Sequence, residues 1–134
     1  MAIFSSGLFA IGAATIAGMV LGALWYSPFL FDHQWMRSLG KTTDTLGSQT
    51  GLMIGSVLAN FLTALGLFLL FNLMSSVDLT MAITVGAIVG FLIIFPALLS
   101  DNLFCDWGTS LLFIQSGYRI LTVILMSLIL FLLT

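Results

Sequence analysis

The residues best suited to chemistry lie inside or beside long apolar segments of the 134-residue chain. Arg119 stands about ten residues into the apolar segment 110–133, or ~15 Å from its start, close to the middle of a bilayer. An arginine there costs at least ~2.5–3.5 kcal/mol on insertion scales unless it is paired or hydrated. Helical side chains lean toward the helix N-terminus, so we expect Arg119 to reach toward Asp101, its obvious counter-ion.

Two interpretations of this pair remain open. It is either a salt bridge that only joins two helices, or part of a hydrated polar pocket that binds an ion or a small polar molecule. Pro96 is expected to kink the preceding span and free carbonyls that Arg119 or water could satisfy. The pocket or ion-pair candidates are Ser100, Asp101, Asn102, Gln115, Tyr118 and Arg119.

Other polar residues within the spans favour a structural interpretation. Asn60 is expected to hydrogen-bond between helices. The hydroxyls, Ser116 and Thr122 among them, are expected to bond to other helices or to the carbonyls of their own helix.

Catalytic and metal chemistry find little support. The chain has one cysteine and one histidine, which is too few for a zinc site. No nucleophile–base pattern is visible, and His33 is more simply a solvated residue. We therefore predict no catalytic residue, no metal and no cofactor, and the sequence argues against an enzyme without excluding one. A net charge of −2 with no basic cluster also argues against nucleic acid as a partner.

The elements that must position these residues are membrane-spanning helices. The chain is 60% hydrophobic and 6% charged, whereas soluble domains carry about 25% charged residues. Four segments have the ~20 apolar residues that a span requires, at about 7–27, 51–74, 79–100 and 110–133. Asp78 is expected to cap the third. The sequence thus predicts an all-α integral membrane protein with a single domain over 1–134. Its fold would be a compact bundle of four transmembrane helices, with a short interfacial helix at about 32–39.

Paired glycines predict where these helices approach one another. In lipid, helices associate where small residues let backbones come close. Some of these contacts could face another copy, so we expect a homo-oligomer in the lipid bilayer. The predicted packing residues are Gly18, Gly22, Gly51, Gly55, Gly86, Gly90 and Asn60.

The charges are distributed unevenly between the two sides. Four crossings place both termini on one side and the loops 28–50 and 102–109 on the other. Arg37 and Lys41 are the only cations in these loops, so the positive-inside rule favours a cytoplasmic position for them and an outside position for both termini. Insertion in both directions remains open.

The stretch "LWYSPFLFDHQW" leaves the first span on the side of these loops. Aromatic rings favour the headgroup region, proline ends the helix, and the following residues fit an interfacial helix. We expect these residues to anchor the chain at the interface and to form the rim of the polar pocket. They are Trp25, Tyr26, Pro28, Asp32, His33 and Trp35.

This stretch, with the later "DNLF" and "SGYR", resembles a small bacterial membrane-protein family, domain of unknown function 1761. The resemblance covers nearly the whole chain and implies four spans and a bacterial inner-membrane location, without an activity. Asp32 stands where a glycine is usual, and Arg119 where a histidine is expected. Because arginine does not titrate in the useful range, the second departure argues against a proton relay. The match marks Trp25, Tyr26, Pro28, Phe31, Trp35, Asn102, Phe104, Gly117 and Tyr118.

Together these observations favour an oligomeric transporter or channel-like protein with a polar pocket near Asp101 and Arg119. Its ligand would be a small ion or polar solute, with an anion slightly favoured. The alternative is a structural, lipid-binding or accessory membrane protein in which the pair only staples two helices.

Overall fold

The computed structural model describes residues 2–25, 49–74, 77–106 and 108–133. Side chains are described from Gly7 in the first of these ranges and from Ile54 in the second. The predicted interfacial helix at 32–39 lies outside the described residues. The expected rim residues Tyr26, Pro28, Asp32, His33 and Trp35 also lie outside them. Gly51 lies in a described helix, but its surroundings are outside the description.

Four helices account for nearly all of the described chain. They are α1 (Ala2–Trp25), α2 (Gln49–Leu73), α3 (Leu79–Cys105) and α4 (Thr109–Leu133). Each contains a segment long and apolar enough to cross a membrane. The prediction of an all-α membrane protein with four spanning helices is confirmed. We call the end where α1 and α3 finish and α2 and α4 begin the polar end, and the opposite end the terminal end.

The third helix contains a wide turn in its middle. Leu79–Ile88 and Phe95–Cys105 are α-helical, and Val89–Ile94 between them is π-helical, with the Phe95 N–H donating to the Gly90 carbonyl. Pro96 follows directly and has no N–H, so it can donate neither to the Leu92 carbonyl in an α register nor to the Phe91 carbonyl in a π register. The irregularity expected at Pro96 is therefore a widened turn just before it. The helix continues to Cys105, beyond the expected end near residue 100, so Asp101 and Asn102 are helical.

Asp78 caps the start of α3. Its Oδ1 accepts a hydrogen bond from the Met81 N–H at 2.8 Å. This side chain satisfies one of the amide groups that a helix leaves unpaired in its first turn.

The last helix in the chain is central to the bundle. Helix α4 packs against α1, α2 and α3, and α1 also packs against α2. Within the described residues, α2 and α3 make at most marginal contact with each other, although they follow one another in the chain.

Two glycines of α3 make close contacts with α4. A Cβ built at Gly86 would lie 2.9 Å from the Ile124 Cα, and one at Gly90 would lie 3.2 Å from the Ile120 Cα. Gly55, by contrast, would meet nothing within 4 Å. The α3 glycines thus bring two backbones together, whereas Gly55 makes no such contact within the described chain.

The hydrophobic core lies toward the terminal end. Its members on α2 and α4 recur at spacings of three and four residues, the period of a helix face packed against neighbours. At the polar end of α2, in contrast, Ile54, Val57 and Leu58 are exposed. The core consists of Ala10, Ile11, Ala14, Ala64, Leu67, Phe71, Ala82, Val123, Met126 and Leu130.

Candidate functional site

The register between α3 and α4 separates the two charges that the sequence had paired. Besides the glycine contacts, the Asn102 Nδ2 donates to the Gly108 carbonyl at 2.9 Å and closes the turn between the helices. Gly86 lies beside Ile124, Gly90 beside Ile120, and Asn102 beside Gly108. The same antiparallel pairing places Asp101 beside Thr109. Arg119 lies ten residues farther along α4, which is about 15 Å along the helix axis. That distance exceeds what the two side chains can span, and within the described residues Arg119 forms no ion pair.

Arg119 lies on the face of α4 that builds the core. It precedes Val123, Met126 and Leu130 by four, seven and eleven residues, so all four share one face of the helix. Arg119 is half-buried, and its guanidinium carbon lies 5.2 Å from the centroid of the Tyr118 ring. A cation–π contact contributes about 0.5–2 kcal/mol. That is less than the cost of an arginine at the centre of a membrane helix, so the charge remains under-compensated.

Buried hydroxyls without partners flank Arg119 on α4. Ser116 is 3% exposed and Thr122 is 1% exposed, and neither hydroxyl oxygen has a hydrogen-bond partner. Each lies three residues from Arg119, a spacing that makes them neighbours on the helix surface. We expected such hydroxyls to bond to other helices or to their own helix, and for these two that expectation was wrong.

Some hydroxyls elsewhere in the fold behave as expected, and one does not. Thr15, Thr63 and Thr84 each donate to the carbonyl four residues earlier, at 2.7–2.9 Å, but the buried Ser127 hydroxyl has no partner among the described residues. Because the large majority of buried side-chain polar atoms are hydrogen-bonded in proteins, the three unpaired hydroxyls of α4 are exceptions, and two of them flank Arg119.

Asn60 provides another buried polar atom, on α2. Its Nδ2 donates to the Ser56 carbonyl at 2.9 Å and contacts the Met19 Sδ at 3.3 Å. Its Oδ1 has no hydrogen-bond partner and lies against Gly18 of α1. The residue is 2% exposed and joins two helices, as expected from its position in the span.

The motif residues at the polar end join α1 to α4. The Trp25 Nε1 donates to the Ile114 carbonyl at 2.9 Å, and its ring occupies the space beside Gly117. In the opposite direction, the Tyr118 hydroxyl donates to the Gly18 carbonyl at 3.1 Å. Each helix therefore sends an aromatic side chain to a main-chain carbonyl of the other. We expected Trp25 at the headgroups, and this helix contact is an additional role.

The remaining candidates are dispersed. Gln115 is half-buried one turn before Arg119, whereas Ser100 and Asp101 are exposed near the polar end. Phe104, marked by the resemblance, is 90% exposed. The structure thus groups Arg119 with Gln115, Ser116 and Thr122, and leaves Ser100 and Asp101 outside that group. The sequence signal for these hydroxyls is their three-residue spacing from Arg119.

Among the described residues, no group of three His, Cys, Asp or Glu side chains could hold a metal ion. The charged residues in the described ranges are Asp78, Asp101, Asp106 and Arg119. Arg119 is therefore the one cation among the described residues, and the nearest carboxylate along the helix pair is that of Asp101.

Comparison with known proteins gives one family. The sequence model described as "Protein of unknown function (DUF1761)" matches residues 9–131. Searches among curated proteins and solved structures find no significant match.

Proposed function

The chain belongs to the DUF1761 family, and we propose that it is a small transporter or channel-like protein that takes an anion at Arg119. The family description assigns no activity, so the proposal depends on the site alone. The observation that carries it is a half-buried arginine inside a spanning helix, without an ion pair in the described chain and beside two buried hydroxyls that lack partners among the described residues.

The balance of donors and acceptors favours an anion over a cation. A guanidinium only donates hydrogen bonds, and a hydroxyl can donate one more. Asp101 is about 15 Å away along the axis, too far to neutralise Arg119 directly. A small anion would supply the negative charge that the described residues do not place there.

The alternative function is an accessory protein in which an ion pair between Asp101 and Arg119 joins two helices. The separation of these residues along the axis, about 15 Å, argues against such an ion pair. The contacts that do join the helices are glycine packing and the aromatic side chains of Trp25 and Tyr118. These contacts do not use the charge of Arg119, which therefore needs another explanation.

A homo-oligomer remains part of the proposal. Gly55 and Gly66 lie eleven residues apart on one face of α2, and a Cβ at either would meet nothing within 4 Å. Small residues on a lipid-facing surface allow the close approach of a helix from another copy. We also propose a bacterial inner-membrane location, with the polar end in the cytoplasm because of Arg37 and Lys41. Chemical crosslinking in membranes, with Gly55→Leu as the disrupting variant, tests the oligomer.

Anion flux in proteoliposomes tests the function. The wild-type protein is expected to conduct at least one of chloride, nitrate, formate or phosphate above the rate of empty liposomes. Arg119→Gln is expected to abolish that flux. Asp101→Asn, which also removes one charge but lies near the polar end, is expected to retain most of it.

Size-exclusion profiles and thermal midpoints show whether each variant is folded, and Arg119→Lys keeps a charge at the site if Arg119→Gln does not fold. Equal flux from the wild type and a folded Arg119→Gln variant would refute the proposal.

A further inference from the structure

Ser116 is the residue beside Arg119 with the clearest unused hydrogen-bonding capacity. Its hydroxyl oxygen is inaccessible and unpartnered, and the residue is 3% exposed. We infer that Ser116 and Arg119 together bind one monovalent oxyanion, an inference that rests on the proposed function and names its ligand class.

Helix geometry selects Ser116 over Thr122. Residues three apart on a helix have Cβ atoms about 5–6 Å apart. Side chains also lean toward the N-terminus of their helix, a direction that favours Ser116 over Thr122 for the long Arg119 side chain. Helix spacing therefore lets the guanidinium and the Ser116 hydroxyl reach the same space on α4.

The donor set favours an oxyanion over a halide. A guanidinium presents parallel N–H groups that fit two oxygens of a carboxylate or phosphate group. The Ser116 hydroxyl adds a donor that can reach one of those oxygens. A halide is a single atom, so it does not present two separate oxygens to the parallel N–H groups of the guanidinium.

The single positive charge of the site matches an anion that carries one negative charge. Arg119 is the one cation in the described part of the chain, and the π-helical turn of α3 at this depth, Val89–Ile94, contains only apolar residues and glycine. A dianion would leave one charge uncompensated in the membrane interior. Free carboxylates and the phosphodiester of a lipid headgroup both satisfy this chemistry.

Ser127 offers a matched control for Ser116. It is fully buried, lies on the same helix, and its hydroxyl also lacks a partner. It packs near Gly86, about 12 Å along the axis from Arg119. Replacing either serine by alanine removes an unpaired hydroxyl, which is close to neutral for stability or even stabilising. Both variants are therefore expected to fold.

The experiment measures binding by the thermal shift of the purified full-length protein. Sodium formate and sodium chloride are titrated at constant ionic strength in nanodiscs of phosphatidylcholine, and the salt-free protein is also measured in nanodiscs containing phosphatidylglycerol. Formate is expected to stabilise the wild type more than chloride does. Ser116→Ala is expected to raise the formate Kd roughly tenfold or more, Ser127→Ala to leave it unchanged, and Arg119→Gln to abolish binding.

The outcomes separate this inference from the proposed function. If Arg119→Gln abolishes binding but Ser116→Ala binds like the wild type, the inference fails and the proposed function stands. If chloride stabilises as well as formate, the oxyanion class fails. If Arg119→Gln binds like the wild type, both fail. Stabilisation by phosphatidylglycerol alone, lost in Ser116→Ala, would support the same site and identify the headgroup of an anionic lipid as the ligand.

Discussion

Gly18 is the position where a single added methyl group tests the packing of three helices. A Cβ at this residue would overlap the Asn60 Oδ1 of α2 and lie 2.7 Å from the Met126 Cε of α4. Because real Cβ atoms essentially never come within 3.0 Å of another heavy atom, both of these neighbours must move in Gly18→Ala.

The cost follows from how firmly these neighbours are held. The Met126 methyl group is the end of a flexible chain and can turn away. Asn60 is held by its hydrogen bond to the Ser56 carbonyl, and breaking that bond costs about 0.5–1.5 kcal/mol. Overpacking adds about 1–3 kcal/mol, and alanine recovers up to ~1 kcal/mol through its better helix propensity. We expect Gly18→Ala to lower the free energy of unfolding by about 1–3 kcal/mol.

Gly12→Ala is the matched control, since a Cβ there would meet nothing within 4 Å. It is expected to be neutral or up to ~1 kcal/mol more stable. Reversible unfolding of both variants in mixed micelles, followed by circular dichroism, measures the difference. Adding Asn60→Ala to Gly18→Ala should recover part of the loss, as a double-mutant cycle would show. If Gly18→Ala unfolds at the same point as Gly12→Ala, the three-helix contact is not as tight as we infer.

Three further predictions concern individual contacts and use the same unfolding assay. Trp25→Phe and Tyr118→Phe each remove a hydrogen bond between α1 and α4, so each should cost about 0.5–1.5 kcal/mol; no loss in either would argue against these bonds. Asp78→Ala should cost about 0.5–2 kcal/mol through loss of the helix cap, whereas Asp78→Asn should cost little. Gly86→Ala should cost about 1–3 kcal/mol because its new methyl group meets a backbone atom, and Gly12→Ala, where a Cβ meets nothing within 4 Å, should show no such loss.

The four helices could be predicted because hydropathy and length alone specify a spanning segment. The cap at Asp78 followed from residue type and position, since a short acidic side chain before an apolar run accepts from the first-turn amides. Glycine spacing was less informative. Gly86 and Gly90 contact α4, whereas Gly55 meets nothing within 4 Å among the described residues. The glycine spacing identifies one face of a helix but not the element that packs against it.

The site was harder to predict because it depends on register between helices. Asp101 was the nearest acidic residue by sequence pattern, but the contact between Asn102 and Gly108 sets the helices so that Asp101 and Arg119 lie at different depths. The wide turn before Pro96 also escaped prediction, since proline predicts an irregularity without its form. Ser116 was interpreted as an ordinary membrane serine, and only its missing partner in the structure distinguishes it.

The central position of α4 has a consequence for how the protein is made. Of the four described helices, α4 is synthesised after the other three, yet it is the principal partner of α3 and a partner of both α1 and α2. Before α4 enters the bilayer, α1 and α2 already have each other, whereas α3 has only marginal contact with α2. Biogenesis should therefore include a stage at which α3 lies in lipid or against the insertion machinery without its main partner. A chain truncated before residue 109 should leave α3 in that state and be degraded by membrane quality control.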